Sequence, residues 1–181
     1  MTEQPRAVVL VEGTSDQVAV ETLAERRDVS LVSERVEIVP IGGAHAIARF
    51  LAHFDPLGVP LAGLYDAAEE HEFARALGED LQARGFFACD PDLEGELIRA
   101  LGADAVEAVA EANGELNAFR TLQKQPAWRE QPVEEQLRRF MGSGGSRKIR
   151  YARLLVEALD PDAAPAPLDL VLNRALNAGR G

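Results

Sequence analysis

Ala7-Val8-Val9-Leu10-Val11-Glu12-Gly13-Thr14-Ser15-Asp16-Gln17 is the stretch that decides the fold. Five consecutive apolar residues, most of them β-branched, predict a strand buried on both faces, the kind found inside parallel sheets. The run stops at Glu12-Gly13. Thr14, with Gln17 three positions on, then reads as a capping box opening a helix. Behind it Val18, Ala19, Thr22 and Leu23 recur at helical spacing.

The same unit repeats outward. Val36–Pro40 predicts a second strand, closed by Ile41-Gly42-Gly43 and followed by a helix through Phe54 with Ile47, Phe50, Leu51 and Phe54 on one stripe. Leu61–Tyr65 is a third strand ending on Asp66. Glu69 to Arg84 reads as a helix, and Gly85–Cys89 as a fourth strand ending at Asp90. Strands alternating with helices imply right-handed crossovers and a parallel sheet. The expected fold class is therefore α/β, a Rossmann-like four-stranded sheet flanked by helices. From Asp92 onward the strands stop. Leu93–Leu101, Ala105–Ala112, Leu116–Gln123, Val133–Met141, Lys148–Leu159 and Leu168–Leu176 read as short helices. Gly142–Ser146 is expected as a flexible hinge and Pro161–Pro167 as a linker. The division is an α/β core over 1–100 and a helical extension over 101–181 that packs on it.

The chain has 181 residues, 46% of them apolar, enough to bury a real core, and one cysteine. A single Cys89 excludes a disulfide framework and any multi-cysteine zinc site, and fits a reducing compartment. No apolar run approaches the length of a signal or transmembrane segment, so the expectation is a cytoplasmic protein with no membrane partner. The net charge of −11 argues against a protein that coats polyanions without specificity. Yet the charge is unevenly placed: residues 1–119 hold 8 basic and 23 acidic side chains, residues 120–181 hold 11 and 7. Most of the second group's cations lie in 120–153, namely Arg120, Lys124, Arg129, Arg138, Arg139, Arg147, Lys148, Arg150 and Arg153. A basic helical segment of this kind either forms a solvated face or holds a phosphate backbone.

Acids cluster where the strands end. Glu12 with Asp16 follows the first, Asp66 with Glu69 and Glu70 the third, and Asp90, Asp92, Glu94 and Glu96 the fourth. In a parallel sheet these ends meet at one edge, the place where α/β sheets put their sites. Carboxylates gathered there repel one another unless a cation compensates, and Mg²⁺ or Mn²⁺, which prefer oxygen ligands, suit the set. Acids at helix N-termini also simply favour the helix dipole, which accounts for Glu69, Glu70 and Glu96. Glu12 resists that account, because it directly follows five apolar residues and precedes a glycine, where a buried charge is costly unless used.

The segment Val8–Asp16 resembles the first motif of TOPRIM domains, the metal-binding module of topoisomerases, primases and related nucleases. In that family a glutamate follows the first strand and a later strand ends in Asp-x-Asp, which Gly63-Leu64-Tyr65-Asp66-Ala67-Ala68 resembles. Within the family the chain is most similar to the TOPRIM of OLD (overcoming lysogenization defect) nucleases. Those carry an acid four residues after the glutamate, here Asp16, and a Val-Pro-x-Gly-Gly-like turn, here Val39–Gly43. The likeness continues to Asp92-Leu93-Glu94 and a late lysine, Lys148, over about residues 7–158. It departs from the pattern at Ala68, where the second acid of Asp-x-Asp stands, and no Gly-x-x-x-x-Gly-Lys-Ser/Thr occurs, so the ATPase that accompanies OLD TOPRIMs is expected, if at all, as a separate partner.

The resemblance implies a metal-dependent nuclease with Glu12, Asp16, Asp66 and Glu94 as ligands of Mg²⁺ or Mn²⁺. Glu12 is either a ligand or the general base, and Lys148 offsets charge on the phosphate. Nucleic acid, DNA in preference to RNA, would then be held through the Arg and Lys of 120–153. Ala68 favours a second reading, a non-catalytic metal- or phosphate-binding module acting with a partner protein. A phosphoacceptor receiver domain is disfavoured, because Glu12-Gly13 and Lys148-Ile149 supply neither the acidic pair nor the Lys-Pro it needs. Gly42-Gly43 either donates N–H groups to a phosphate or forms a tight turn. Trp128, Phe119 and Phe140 either stack on bases or pack the helical layer. The histidines His45, His53 and His71 lack zinc spacing, and Ser143 and Ser146 have no nearby histidine to activate them.

Overall fold

Strand Ala7–Val11 (β1) is buried along its whole length, as its unbroken apolar run demands. The computed structural model describes residues 4–178. Helix Thr14–Arg26 (α1) follows, then strand Val36–Pro40 (β2), helix Ile47–Phe54 (α2), strand Leu61–Asp66 (β3), helix Glu70–Leu77 (α3) and strand Phe86–Cys89 (β4). The four strands form one all-parallel sheet in the order β2-β1-β3-β4. The chain steps from β1 to β2 in one direction, then crosses back to β3 and on to β4. Right-handed crossovers therefore put α1 on one face and α2 and α3 on the other. The side chains obey this: Ala7, Val9 and Val11 face α1, while Val8 and Leu10 face α2 and α3.

The remaining helices are Leu93–Leu101 (α4), Ala103–Ala112 (α5), Leu116–Gln123 (α6), Val133–Met141 (α7), Gly145–Ala158 (α8) and Ala166–Asn177 (α9). Helix α8 packs along α1, and α9 lies against β1, β3 and β4. Residues from α4 to α9 thus share one core with the α1 face of the sheet, through Leu97, Phe119, Leu137, Tyr151, Leu155 and Val171.

Several expectations are corrected. The N-cap of α1 is Gly13, not Thr14, and the side chain that returns to it is Asp16, whose Oδ2 accepts the Gly13 N–H at 2.8 Å. Glycine has no side chain to complete the reciprocal half of a capping box, so Gln17 plays no part in it. The helix expected over Glu69–Arg84 ends at Leu77, because Gly78 leaves the helix at φ 94° and a turn through Gly85 brings the chain back to β4. The expected hinge is helical in its last two residues: Gly145 and Ser146 form the first turn of α8, with Gly144 (φ 106°) turning the chain before it. Likewise α9 begins at Ala166 inside the expected linker, with Pro167 in its first turn, where a missing N–H costs nothing.

The sheet closes tightly at Gly63 in β3. A Cβ built there would lie 2.5 Å from the Phe86 ring and 2.7 Å from the Leu10 carbonyl oxygen. Gly63→Ala is therefore expected to destabilise the fold by about 2–3 kcal/mol through overpacking. In urea unfolding this appears as a lower midpoint with an unchanged slope. A midpoint equal to that of the parent chain contradicts this packing.

Candidate metal centre

The strand order reverses between β1 and β3, and the two residues that end those strands, Glu12 and Asp66, stand side by side at the carboxyl edge. Glu12 Oε1 accepts the backbone N–H of Asp66 at 2.7 Å. The Glu12 carbonyl is also engaged, accepting the N–H groups of Gly42 at 3.1 Å and Gly43 at 3.0 Å from the turn after β2. Those N–H groups are thus spent on the tight turn and not aimed at a phosphate. Positive φ at Gly42 (79°) and Gly43 (110°) is what lets both amides converge on one oxygen. Burial raises the pKa of Glu12; the Asp66 N–H works against this, and the charges of Asp16 and Glu69 add to it.

Asp66 itself is pushed up to about 7, first by burial, then by the charges of Glu12 and Asp16, with Lys148 pulling the other way. Asp16 is 8% exposed and also raised, chiefly by burial, despite the Gly13 N–H that it accepts. Glu94, 5% exposed, is raised by burial too, and its Oε2 lies 3.3 Å from Lys148 Nζ. Lys148 is raised, against its own burial, by Glu94, Asp16 and Asp66. All five residues singled out from the sequence, Glu12, Asp16, Asp66, Glu94 and Lys148, therefore act on one another at a single edge.

The donor chemistry fits a hard divalent cation. Glu12, Asp16 and Asp66 are oxygen donors whose ionised forms are disfavoured by burial and mutual repulsion, a conflict that such an ion relieves. Among the described residues, no three acid, imidazole or thiol groups are arranged so that they could hold one metal ion together, so Glu12, Asp16, Asp66 and Glu94 do not form the four-ligand set expected from the sequence. Magnesium does not require such a set, since one or two carboxylates are usually completed by water and phosphate oxygens. Asp16 is tied to Gly13 and Glu94 to Lys148, while the Glu12 carboxylate accepts the Asp66 backbone N–H. Ala68 offers no donor, and of its neighbours it is Glu69 whose charge reaches Glu12.

Asp92 belongs to this edge and was not singled out as a site residue from the sequence. It is the N-cap of α4, with Oδ1 accepting the Gly95 N–H at 2.9 Å, and its Oδ2 accepts Arg138 Nε at 2.7 Å. Its Asp-x-x-Gly position before a helix marks a cap, but nothing in the sequence pairs it with Arg138, 46 residues away. The basic segment is likewise mostly engaged. Arg120 pairs with Glu107, Arg147 and Arg150 with Glu115, and Arg153 with Glu25 and Glu157. Phe119 and Phe140 are buried packing residues. Trp128 is only partly buried. It lines a groove of about 300 Å³ together with Asp92, Glu94, Arg138, Arg139 and Lys148, which joins the carboxylate edge to the helical layer.

Residues 5–67 match the family described as overcoming lysogenization defect protein-like, TOPRIM domain. The fold of the whole chain is that of the C-terminal regions of OLD proteins. The one from Burkholderia pseudomallei is 19% identical, with a TM-score of 0.70 over 96% of this chain and 98% of that one. The one from Xanthomonas campestris pv. campestris phased with platinum is 23% identical, with a TM-score of 0.71 over 96% and 93%. The same region phased with mercury gives 22%, 0.70, 96% and 96%. No curated protein matches the chain. The expected TOPRIM resemblance and the α/β fold class are both borne out. No helix among the described residues is long and apolar enough to cross a membrane.

The raised Asp66 has a consequence for stability with a definite sign. The folded state holds this proton up to about pH 7, whereas the unfolded chain releases it near the ordinary aspartate value of about 3.9. The folded state thus binds more protons between these values, so stability falls as pH rises through that window and levels off above it. With a chelator present, Asp66→Asn is expected to flatten this decline in a thermal melt series from pH 5 to 8, and to melt higher than the parent at pH 8. Identical pH profiles for the two proteins contradict the crowded carboxylate edge.

Proposed function

We propose that the chain is a metal-dependent phosphodiesterase acting on nucleic acid, with Mg²⁺ or Mn²⁺ held by Glu12 and Asp66. The observation that carries this reading is the meeting of these two acids at the point where the strand order reverses, locked by the Glu12–Asp66 hydrogen bond. The OLD-like TOPRIM match over residues 5–67 supports the choice of nucleic acid as substrate. In this reading the protein works in the cytoplasm, on DNA in preference to RNA, a preference that rests on the family resemblance.

A divalent ion supplies Lewis acidity toward a phosphate oxygen and lowers the pKa of bound water. The chain's own residues set the rest. Glu12, fixed through Oε1 by Asp66, has its second oxygen left to accept a ligand or a proton. Asp16 holds the turn that carries Glu12 by accepting the Gly13 N–H. Lys148, anchored by Glu94, places one positive charge beside these acids. There it offsets negative charge that develops on a phosphate, and a fixed cation needs no reorganisation at the moment of reaction. Arg138, through Asp92, ties α7 to the same edge and so keeps the helical layer in register with it.

The second reading, a metal- or phosphate-binding module without catalysis, has one observation in its favour. Ala68 leaves the edge one donor short of the Asp-x-Asp pattern, with no three donors caged among the described residues. Plasmid nicking separates the two. With Mg²⁺ or Mn²⁺, supercoiled DNA is expected to be nicked or cut, with the rate falling at least about 100-fold in Glu12→Ala or Asp66→Ala, the usual size for loss of a group that stabilises transition-state charge. Lys148→Ala is expected to lose a similar factor, while Arg153→Ala, distant in the charge pattern, keeps its rate. Metal binding that requires Glu12 without any cleavage supports the module instead.

A further inference from the structure

The groove that adjoins the carboxylate edge has a chemistry of its own. Asp92, Glu94 and Glu135 contribute three negative charges to its lining, and Arg138, Arg139 and Lys148 three positive ones. Within it Arg138 pairs with Asp92 and Glu135, and Lys148 with Glu94. The groove is therefore neutral in sum, with Arg139 outside these pairs. A surface that tracks a duplex backbone needs surplus positive charge, and this one has little.

What it has is a partly buried aromatic ring with an arginine over one side. Trp128, the chain's one tryptophan, lines the groove, and the Arg139 guanidinium carbon stands 5.9 Å from its ring centroid. Aromatic rings and guanidinium planes are the surfaces on which unpaired bases stack. The loop presenting the ring is fixed. Gln136, 5% exposed, donates from Nε2 to the Trp128 carbonyl at 2.7 Å and the Gln131 carbonyl at 3.0 Å, and accepts from Gln123 Nε2 at 2.7 Å. One buried amide thus holds both ends of the stretch from α6 to α7. Lys148 and Glu94 belong to the groove and to the carboxylate edge alike.

We propose that Trp128 and Arg139 form a stacking subsite for an unpaired base, so that the substrate enters this edge as a single-stranded segment. This rests on the reading of the edge as a phosphodiester-processing centre, and it adds which form of nucleic acid is taken. A base stacked on Trp128 directs its strand past Lys148 toward Glu12 and Asp66. A fully paired duplex hides the base faces that the subsite would hold.

The sole tryptophan makes the test direct. The full chain is titrated in EDTA, which prevents cleavage, with a labelled single-stranded oligonucleotide and with the matching blunt duplex, following tryptophan fluorescence and label anisotropy together. The single strand is expected to quench the fluorescence saturably, in step with anisotropy, and to bind at least several-fold more tightly than the duplex. Trp128→Ala should weaken single-strand binding about tenfold and Trp128→Phe much less, as expected for one stacked base. Affinity should fall only shallowly with salt. Anisotropy that rises without quenching, equal binding of duplex, full affinity in Trp128→Ala, or no binding at all overturns the proposal. Nicking with Mn²⁺ is scored separately: cleavage with an unquenched Trp128 retains the nuclease reading and removes the subsite, whereas quenching without cleavage does the reverse.

Discussion

Glu12 ties three strand ends together. Its own backbone ends β1, its carbonyl accepts the Gly42 and Gly43 amides after β2, and its carboxylate accepts the Asp66 amide at the end of β3. No apolar residue at this position performs the last of these. A half-buried acid so placed carries a desolvation penalty that a single amide bond does not remove, which is why its pKa remains raised. The edge is thus stable enough to hold its shape and is still electrostatically frustrated.

The distribution of charge has two separate explanations. The acids that matter sit where parallel strands converge, and their repulsion is a property of the fold. The basic segment over 120–153 is chiefly engaged in ion pairs at the surface: Glu107, Glu115 and Glu25 take up most of its arginines. Only Arg138, Arg139 and Lys148 reach the groove beside the acids. The net charge of −11 is thus the sum of an acidic strand-end region and a basic segment whose arginines are mostly ion-paired.

Much of this was legible in the residues. Five apolar positions before Glu12 specify a buried parallel strand, because few other environments tolerate AVVLV. The strand-end rule then places Glu12 and Asp66 together without any coordinates. Helix boundaries were less legible where backbone geometry overrides periodicity. Gly78 stops α3 although the apolar pattern runs on, and α8 begins at Gly145, inside the Gly/Ser stretch, where Gly144 at φ 106° turns the chain into the helix. Ion pairs between distant segments were not legible at all. Nothing local in Asp92 or Glu115 announces Arg138 or Arg147, since those pairings depend on how the helical layer lands on the sheet.

The divalent-cation site proposed for these strand-end acids is tested most directly by calorimetric titration of Mn²⁺ into the chain at pH 6.5 in two buffers of different ionisation enthalpy. Because Asp66 holds its proton up to about pH 7, binding must expel it, and metal affinity and proton release are linked. The account predicts binding with release of a substantial fraction of a proton per ion, and loss of that release in Asp66→Asn. Absence of Mn²⁺ binding, or binding of unchanged affinity and proton count in Asp66→Asn, would contradict it.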